Sequence, residues 1–329
     1  MKKFLKILGI LFIILILAST GFYIYLNKAF PKIKPATDMR VDISPERVER
    51  GKYLVDHVTG CIGCHSERNF SYFSGPVVPG SEGKGGFIFD ESVGLPGAFY
   101  SKNITPDGIG SWTDGELFRA VTTGVNKDGK PLFPIMPYLH FGKMDEDDIK
   151  CVLAYIRSLK PVQNDVPESK ATFPMSLIMR TIPEEANFTK RPDRGNIKEY
   201  GKYLVDAGSC IECHTQQSRG KLKEGFEYAG GHEFPVNGGY VVRSSNITPD
   251  NETGIGLWSK EQFVNRFKAY DNPQAKTVPV KAGEFNTWMP WTEFAGMNQE
   301  DLEAIYAFLK TIPAVRNKVE KFSLAGVKN

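Results

Sequence analysis

The apolar positions of the chain fall into three patterns. The first is an unbroken run from Ile7 to Leu26 with no charged residue, entered through Met1-Lys2-Lys3-Phe4-Leu5-Lys6. About 20 residues make roughly 30 Å of helix, which matches the hydrocarbon core of a bilayer. Tyr23 and Tyr25 suit the far interface, and Lys2, Lys3 and Lys6 put the start on the cytoplasmic side. A cleaved signal peptide ending near Ala18-Ser19-Thr20-Gly21 is the rival reading. The apolar stretch continues past that point through Phe22-Tyr23-Ile24-Tyr25-Leu26, so an uncleaved anchor is favoured; no cysteine follows for a lipoprotein anchor. The second pattern is helical. Ile149, Val152, Leu153 and Ile156 show the i, i+3, i+4, i+7 spacing of one buried face, and Asp145–Leu159 and Asn298–Ile312 read as matched amphipathic helices. Both have acidic first turns and are stopped by Pro161 and Pro313. The third pattern lacks a period: Arg68–Trp112 and Thr215–Trp258 are rich in Gly, Pro and Asn, and loops that long in a compact domain are usually functional or ligand-supported.

These patterns belong to a unit written twice. Gly51-Lys52-Tyr53-Leu54-Val55-Asp56 recurs at 201–206, Asn103-Ile104-Thr105-Pro106-Asp107 at 246–250, and Gly-Ile-Gly-x-Trp ends at Trp112 and Trp258. Met136-Pro137-Tyr138 recurs as Met289-Pro290-Trp291. A repeat of this length predicts two homologous domains, each with its own core. The expected boundaries are an anchor over 1–27, a Pro- and Lys-rich tether over 28–43, domains over 44–162 and 196–316, a linker over 163–195 and a tail over 317–329. Ser44-Pro45, and Asn196 with Glu199, read as helix starts that cap the first helix of each domain. Gly51 and Gly201 fall inside those helices, where glycine costs about 1 kcal/mol against alanine. Close crossing by the closing helix, at Tyr155 and Phe308, explains that cost. Met175–Met179, apolar and inside the linker, is expected to pack across the domain junction.

Composition narrows the function classes. A formal charge of +3 over 329 residues gives no basic footprint for nucleic acid. Five cysteines are an odd number, and four of them sit in Cys61-Ile62-Gly63-Cys64-His65 and Cys210-Ile211-Glu212-Cys213-His214. C-x-x-C-H is the attachment signature of c-type haem. Cys61 and Cys64, and Cys210 and Cys213, would add across the vinyl groups of one porphyrin each. His65 and His214 would then fall under the iron as proximal ligands, so two covalent haem c groups are expected. Covalent haem attachment takes place outside the cytoplasm, on the periplasmic side of a bacterial inner membrane, which agrees with the anchor's orientation.

A sixth ligand or an open site separates electron carrier from enzyme. Met136 and Met289 lie at matched places before Pro and an aromatic residue, and are the candidate axial sulfurs; a core-filling role is the alternative. Met144 and Met297 also recur, but directly before helix N-caps, where packing is the better reading. His57, His140 and His232 do not repeat and read as surface or locally hydrogen-bonding residues. Cys151 aligns with Ala304 and reads as a small buried residue. Trp112 and Trp258 each carry an indole donor that a haem propionate could accept from, though core packing serves equally. Asn-Ile-Thr matches a glycosylation acceptor, but its recurrence is better explained by a shared loop conformation.

With these motifs combined, the chain from about Pro45 to Pro313 resembles the cytochrome c subunits of bacterial membrane-bound alcohol, gluconate and related dehydrogenases. The resemblance implies a mainly α fold of two tandem class I-like cytochrome c domains with long haem-wrapping loops, preceded by one N-terminal transmembrane helix. It implies His65 with Met136, and His214 with Met289, as axial pairs. It also implies a redox protein partner: a dehydrogenase subunit, a quinol-oxidising complex or a terminal oxidase. Those subunits commonly carry three haem domains, whereas this chain has two and its own anchor; a stand-alone respiratory dihaem cytochrome c fits equally well. Electron transfer without a substrate of its own is the expected function. The competing class is a dihaem peroxidase or thiosulfate-oxidising enzyme, which needs one open or differently ligated haem; the near-identical halves argue against it.

Overall fold

The computed structural model describes residues 1–218, 220–236 and 239–325. Helix Lys2–Ala29 is long and apolar enough to cross a membrane, and of its 28 residues only Leu26 is buried. The segment after it is a docked strap, not a loose tether. Lys34 N donates to Glu185 Oε1 at 2.7 Å and Val41 N to Asp114 Oδ2 at 2.8 Å. The Thr37 carbonyl lies against Gly115, where any side chain would collide with it, and Val41 is buried.

Each half is built on one crossed helix pair. Leading helix Pro45–Tyr53 packs on closing helix Glu146–Ser158, and Ile197–Ala207 packs on Gln299–Leu309. The crossings run through the expected glycines. A Cβ at Gly51 would stand 1.9 Å from the Cys151 carbonyl oxygen, with Tyr155 Cβ next; one at Gly201 would stand 1.9 Å from the Ala304 oxygen. In the second half the nearest atoms are thus the Ala304 and Ile305 backbone, not Phe308. Cys151 is buried, as expected of a small residue at such a crossing.

Helix starts differ from expectation. Neither Ser44 nor Asn196 caps its helix with its side chain. Full capping boxes form instead at Thr113 with Glu116 and Ser259 with Gln262, opening helices Asp114–Thr123 and Lys260–Lys268. The first leading helix runs on as a π-helical turn, Leu54–Val58. Four residues separate Asp56 from Cys61 but three separate Asp206 from Cys210. The π turn absorbs that extra residue.

The aperiodic stretches hold small antiparallel sheets. Strands Ile88–Phe89 and Gly97–Tyr100 are joined by Lys170–Ala171 from the linker, and Glu233–Val236 and Tyr240–Arg243 by Phe322–Leu324 from the tail. Linker and tail therefore finish the two halves in the same way. Met175–Ile178 is a short helix with no buried residue, contacting Lys170–Ala171, and the junction is closed by other groups.

Those groups join the two halves: most of the buried apolar residues form a contiguous cluster containing Leu54, Leu153, Leu204 and Leu302 alike. Two buried aspartates pin the seam reciprocally. Tyr53 OH donates to Asp301 Oδ2 at 2.7 Å, and Tyr203 OH to Asp148 Oδ2 at 2.6 Å, each reaching into the other half. Asp148 also takes a bidentate pair from Arg50 at 3.0 and 2.8 Å, and Asp301 takes Arg194 at 2.8 Å. Fully buried carboxylates are tolerated because their oxygens are satisfied by cations and hydroxyls.

Candidate haem sites

Both Cys-x-x-Cys-His segments are single helical turns, Cys61–Cys64 and Cys210–His214. Each follows a residue in the left-handed region, Gly60 at φ 68° and Ser209 at φ 52°, which breaks the leading helix and redirects the chain. One turn places thiols three residues apart on the same face. Cys61 and Cys210 are half-buried, and Cys64 and Cys213 are exposed; all four are free of disulfides. Burial pushes the Cys61 thiol up to about 11 and the Cys210 thiol up to about 12. Redox and nucleophilic cysteines show the opposite shift.

The histidines are oriented in the same way twice. His65 Nδ1 lies 2.7 Å from the Lys102 carbonyl oxygen, and His214 Nδ1 lies 2.8 Å from that of Ser245. Since a carbonyl can only accept, Nδ1 carries the proton and Nε2 is left with its lone pair for a metal. Burial lowers both imidazole pKa values, which favours the neutral ring that a metal would need. The accepting carbonyls are fixed by the repeated Asn-Ile-Thr that follows them. Asn103 Oδ1 accepts from Thr105 N and Oγ1 at 3.0 and 2.7 Å while its Nδ2 donates to Val162 O at 2.8 Å. Asn246 does the same with Thr248 and Val315. This is the shared loop conformation expected of the motif.

Two glycines that the sequence reading passed over complete this arrangement. Gly85 N donates to His65 O at 2.8 Å and Gly230 N to His214 O at 2.7 Å, from φ of 68° and 72°. A side chain at either would run into the Lys102–Asn103 or Ser245–Asn246 peptide that holds the histidine. The recurring Gly85-Gly86 and Gly230-Gly231 pairs are the signal that could have found them.

Met136 and Met289 are half-buried against the same core as Cys61 and Cys210, each in front of a short helix, Tyr138–Phe141 or Trp291–Phe294, that begins after its proline. Met144 and Met297 are 2% and 3% exposed and belong to the core, as packing residues should. Trp112 is half-buried against the core, whereas Trp258 is 37% exposed and lies outside it. Among the described residues, the indole N–H that is buried without a partner is that of half-buried Trp288, beside Met289. Sequence reasoning missed it because its place in the first half is taken by Ile135, so it does not repeat.

His57 and His140 are not local residues; they bridge the halves. His57 Nδ1 lies 2.8 Å from the Glu293 carbonyl oxygen, and His140 Nε2 lies 2.9 Å from Glu212 Oε1. His232 is half-buried with its ring edge-to-face on Phe234. Through these contacts each attachment turn touches the other half's Met-Pro helix. Glu212 sits within Cys210–His214 and meets His140, and a Cβ at Gly63 would rest 3.8 Å from Glu293 Cγ.

The donor set fits haem c: paired thiols on one face, an imidazole with a free Nε2, a thioether, and at the second site a buried N–H donor awaiting an acceptor such as a propionate. Residues 198–313 match the sequence profile of the family described as cytochrome c. The chain is 28% identical, over 83% of its length, to the alcohol dehydrogenase (quinone) cytochrome c subunit of Gluconobacter oxydans, and covers 56% of that protein. It is 28% identical, over 81% of its length, to the gluconate 2-dehydrogenase cytochrome c subunit of Pantoea cypripedii, covering 60% of it. A diheme cytochrome c-type protein of Cereibacter sphaeroides is 24% identical over 78% of the chain and is covered to 83%. The chain thus spans somewhat more than half the length of the dehydrogenase subunits and most of the diheme protein. It contains a cytochrome c domain, which implies covalently bound haem c, and over most of its length it is similar to the cytochrome c subunits of alcohol and gluconate dehydrogenases.

Proposed function

We propose that the chain is a membrane-anchored dihaem c-type cytochrome that relays electrons on the periplasmic side of a bacterial inner membrane. It would act between a dehydrogenase or quinol-oxidising partner and the respiratory chain. Each half is one cytochrome c domain: Cys61 and Cys64 hold the first haem and Cys210 and Cys213 the second, with His65–Met136 and His214–Met289 as axial pairs. Bound haem supplies a one-electron iron couple, and His/Met ligation raises its potential and leaves no vacant position. The Lys102 and Ser245 carbonyls fix the imidazole tautomer, and the reciprocal seam holds each attachment region against the other half. That reciprocity carries the reading: His140 on Glu212 and His57 on the Glu293 carbonyl each tie one half's attachment region to the other half's methionine helix. Two redox centres held in fixed proximity within one core suit a relay.

Redox titration of the full chain, purified with its haems, tests this. Two one-electron components are expected. Replacing Cys61 and Cys64 by alanine should remove one of them and halve the haem content. One haem per chain, or rapid cyanide binding to the resting wild-type protein, overturns the reading.

A further inference from the structure

We propose that Ser74, in the first half, is a positioning residue for Met289 in the second, so that the second site's thioether is held from across the seam. The inference rests on the axial assignment of Met289 above. Ser74 is fully buried and adopts φ 67°, a left-handed conformation that strains a residue with a side chain. Its polar groups are all engaged, mainly with the segment flanking Met289. The hydroxyl donates to Met289 O at 2.6 Å and accepts from Trp291 N at 3.0 Å. The Ser74 amide donates to Asn286 Oδ1 at 2.8 Å, and Asn286 Nδ2 returns to Phe70 O at 3.0 Å. Arg68 Nη2 holds the Ser74 carbonyl at 2.5 Å, and Phe70 covers Trp288 with ring centroids 4.8 Å apart.

Met136 has no equivalent hold. Both carbonyls accept from the backbone N–H two residues on, Met136 O from Tyr138 N and Met289 O from Trp291 N, each at 2.8 Å. Among the described residues only Met289 O also takes a hydroxyl from the opposite half, and its neighbour Trp288 is half-buried where Ile135 is 44% exposed. The two candidate sulfurs are therefore mounted differently: one on its own loop, the other clamped by the opposite half. Strain at a buried serine whose amide and hydroxyl are both satisfied through the Met289 segment is the kind expected where geometry serves a site.

Glycine adopts positive φ freely, so Ser74→Gly deletes the hydroxyl and keeps the backbone. The haem-loaded protein is titrated with imidazole in the oxidised state, and the methyl signals of iron-bound methionine are followed by proton NMR in the reduced state. Met136→His and Met289→His assign those signals to the two haems. Losing one buried hydrogen bond at the mount should raise imidazole affinity about tenfold at the second haem, with the first unchanged. Ser74→Ala should do the same, whereas Ser74→Asn, which tolerates positive φ and keeps a polar side chain, should restore part of the effect. Equal change at both haems, or at neither, while the Met289 signal is present, overturns the Ser74 assignment alone. A Met289→His protein that keeps both methionine signals overturns the axial reading and the inference with it.

Discussion

Replacing Gly201 by alanine sets two physical effects of opposite sign against each other. Inside a helix, alanine is favoured over glycine by about 1 kcal/mol, so propensity alone predicts a more stable protein. The crossing predicts the reverse. The new Cβ would stand 1.9 Å from the Ala304 oxygen, and ordinary contact begins near 3.4 Å. Helix Ile197–Ala207 would have to move away from Gln299–Leu309 by about 1.5 Å to admit the methyl group. A shift of that size opens gaps around Leu204 and Leu302, both fully buried. Overpacking of this kind costs about 1–3 kcal/mol, and the obstacle here is rigid helix backbone with no flexible end to swing away. Taking the upper end of that range for a rigid obstacle and subtracting the propensity gain of about 1 kcal/mol leaves a net loss of about 2 kcal/mol. Urea unfolding of the haem-loaded protein, followed by far-UV circular dichroism, reads it as a lower midpoint at unchanged slope. Gly51→Ala, facing the Cys151 oxygen at the same 1.9 Å, should behave alike. A midpoint that stays or rises in both variants would refute the close crossing as the reason for these glycines.

Other outcomes follow from the same geometry. Tyr203→Phe removes the donor to buried Asp148 across the seam and should cost about 1.5–3 kcal/mol, as hydrogen bonds to charged groups do; Tyr53→Phe should match it at Asp301. Unfolding curves of the single and double variants measure both costs and their coupling. Gly230→Ala should push the Ser245 carbonyl off His214 and lower covalent haem content at the second site, read as the haem-to-protein ratio after expression with a maturation system. Burial lowers the pKa of His232 below its ordinary 6.5. Between the folded value and 6.5 the unfolded chain binds more protons, so stability should climb with pH through that window and level off above it. His232→Phe should flatten this slope, and an unchanged slope would discount the burial effect.

The sequence was most legible where the two copies agree. Gly51 and Gly201, the Asn-Ile-Thr loops, and Met144 and Met297 were all readable because repetition separates a constraint from chance. What lay between the halves was harder to see. A repeat reports what each unit needs internally, and contacts across the seam join non-equivalent residues. Hence His57 and His140, which do not recur, read as incidental, although each bridges to the partner half. The Thr113–Glu116 and Ser259–Gln262 capping boxes were written in the chain but followed glycine-rich stretches that masked the helices they open. Ser44 and Asn196 show the converse: a favourable residue type at a helix start does not ensure that its side chain turns back to cap it. Ser74 had no signal at all, since serine gives no warning of a positive φ and the partners of its amide and hydroxyl are more than 200 positions away.

The extra residue before Cys61 shows how the molecule reconciles two demands. The leading helix must cross at Gly51 in fixed register, and the attachment turn must end where the Lys102 carbonyl can meet His65. An inserted residue in a regular α-helix would rotate everything beyond it by about 100°, turning Cys61 and His65 away from the site. Confining the insertion to one π-helical turn, Leu54–Val58, leaves both ends in place. The same turn carries His57, whose Nδ1 reaches the Glu293 carbonyl just beyond Met289. The irregularity thus preserves the first site and ties it to the second. In the proposed relay both redox centres therefore depend on a single seam, and a change on one side of it should be felt at the other.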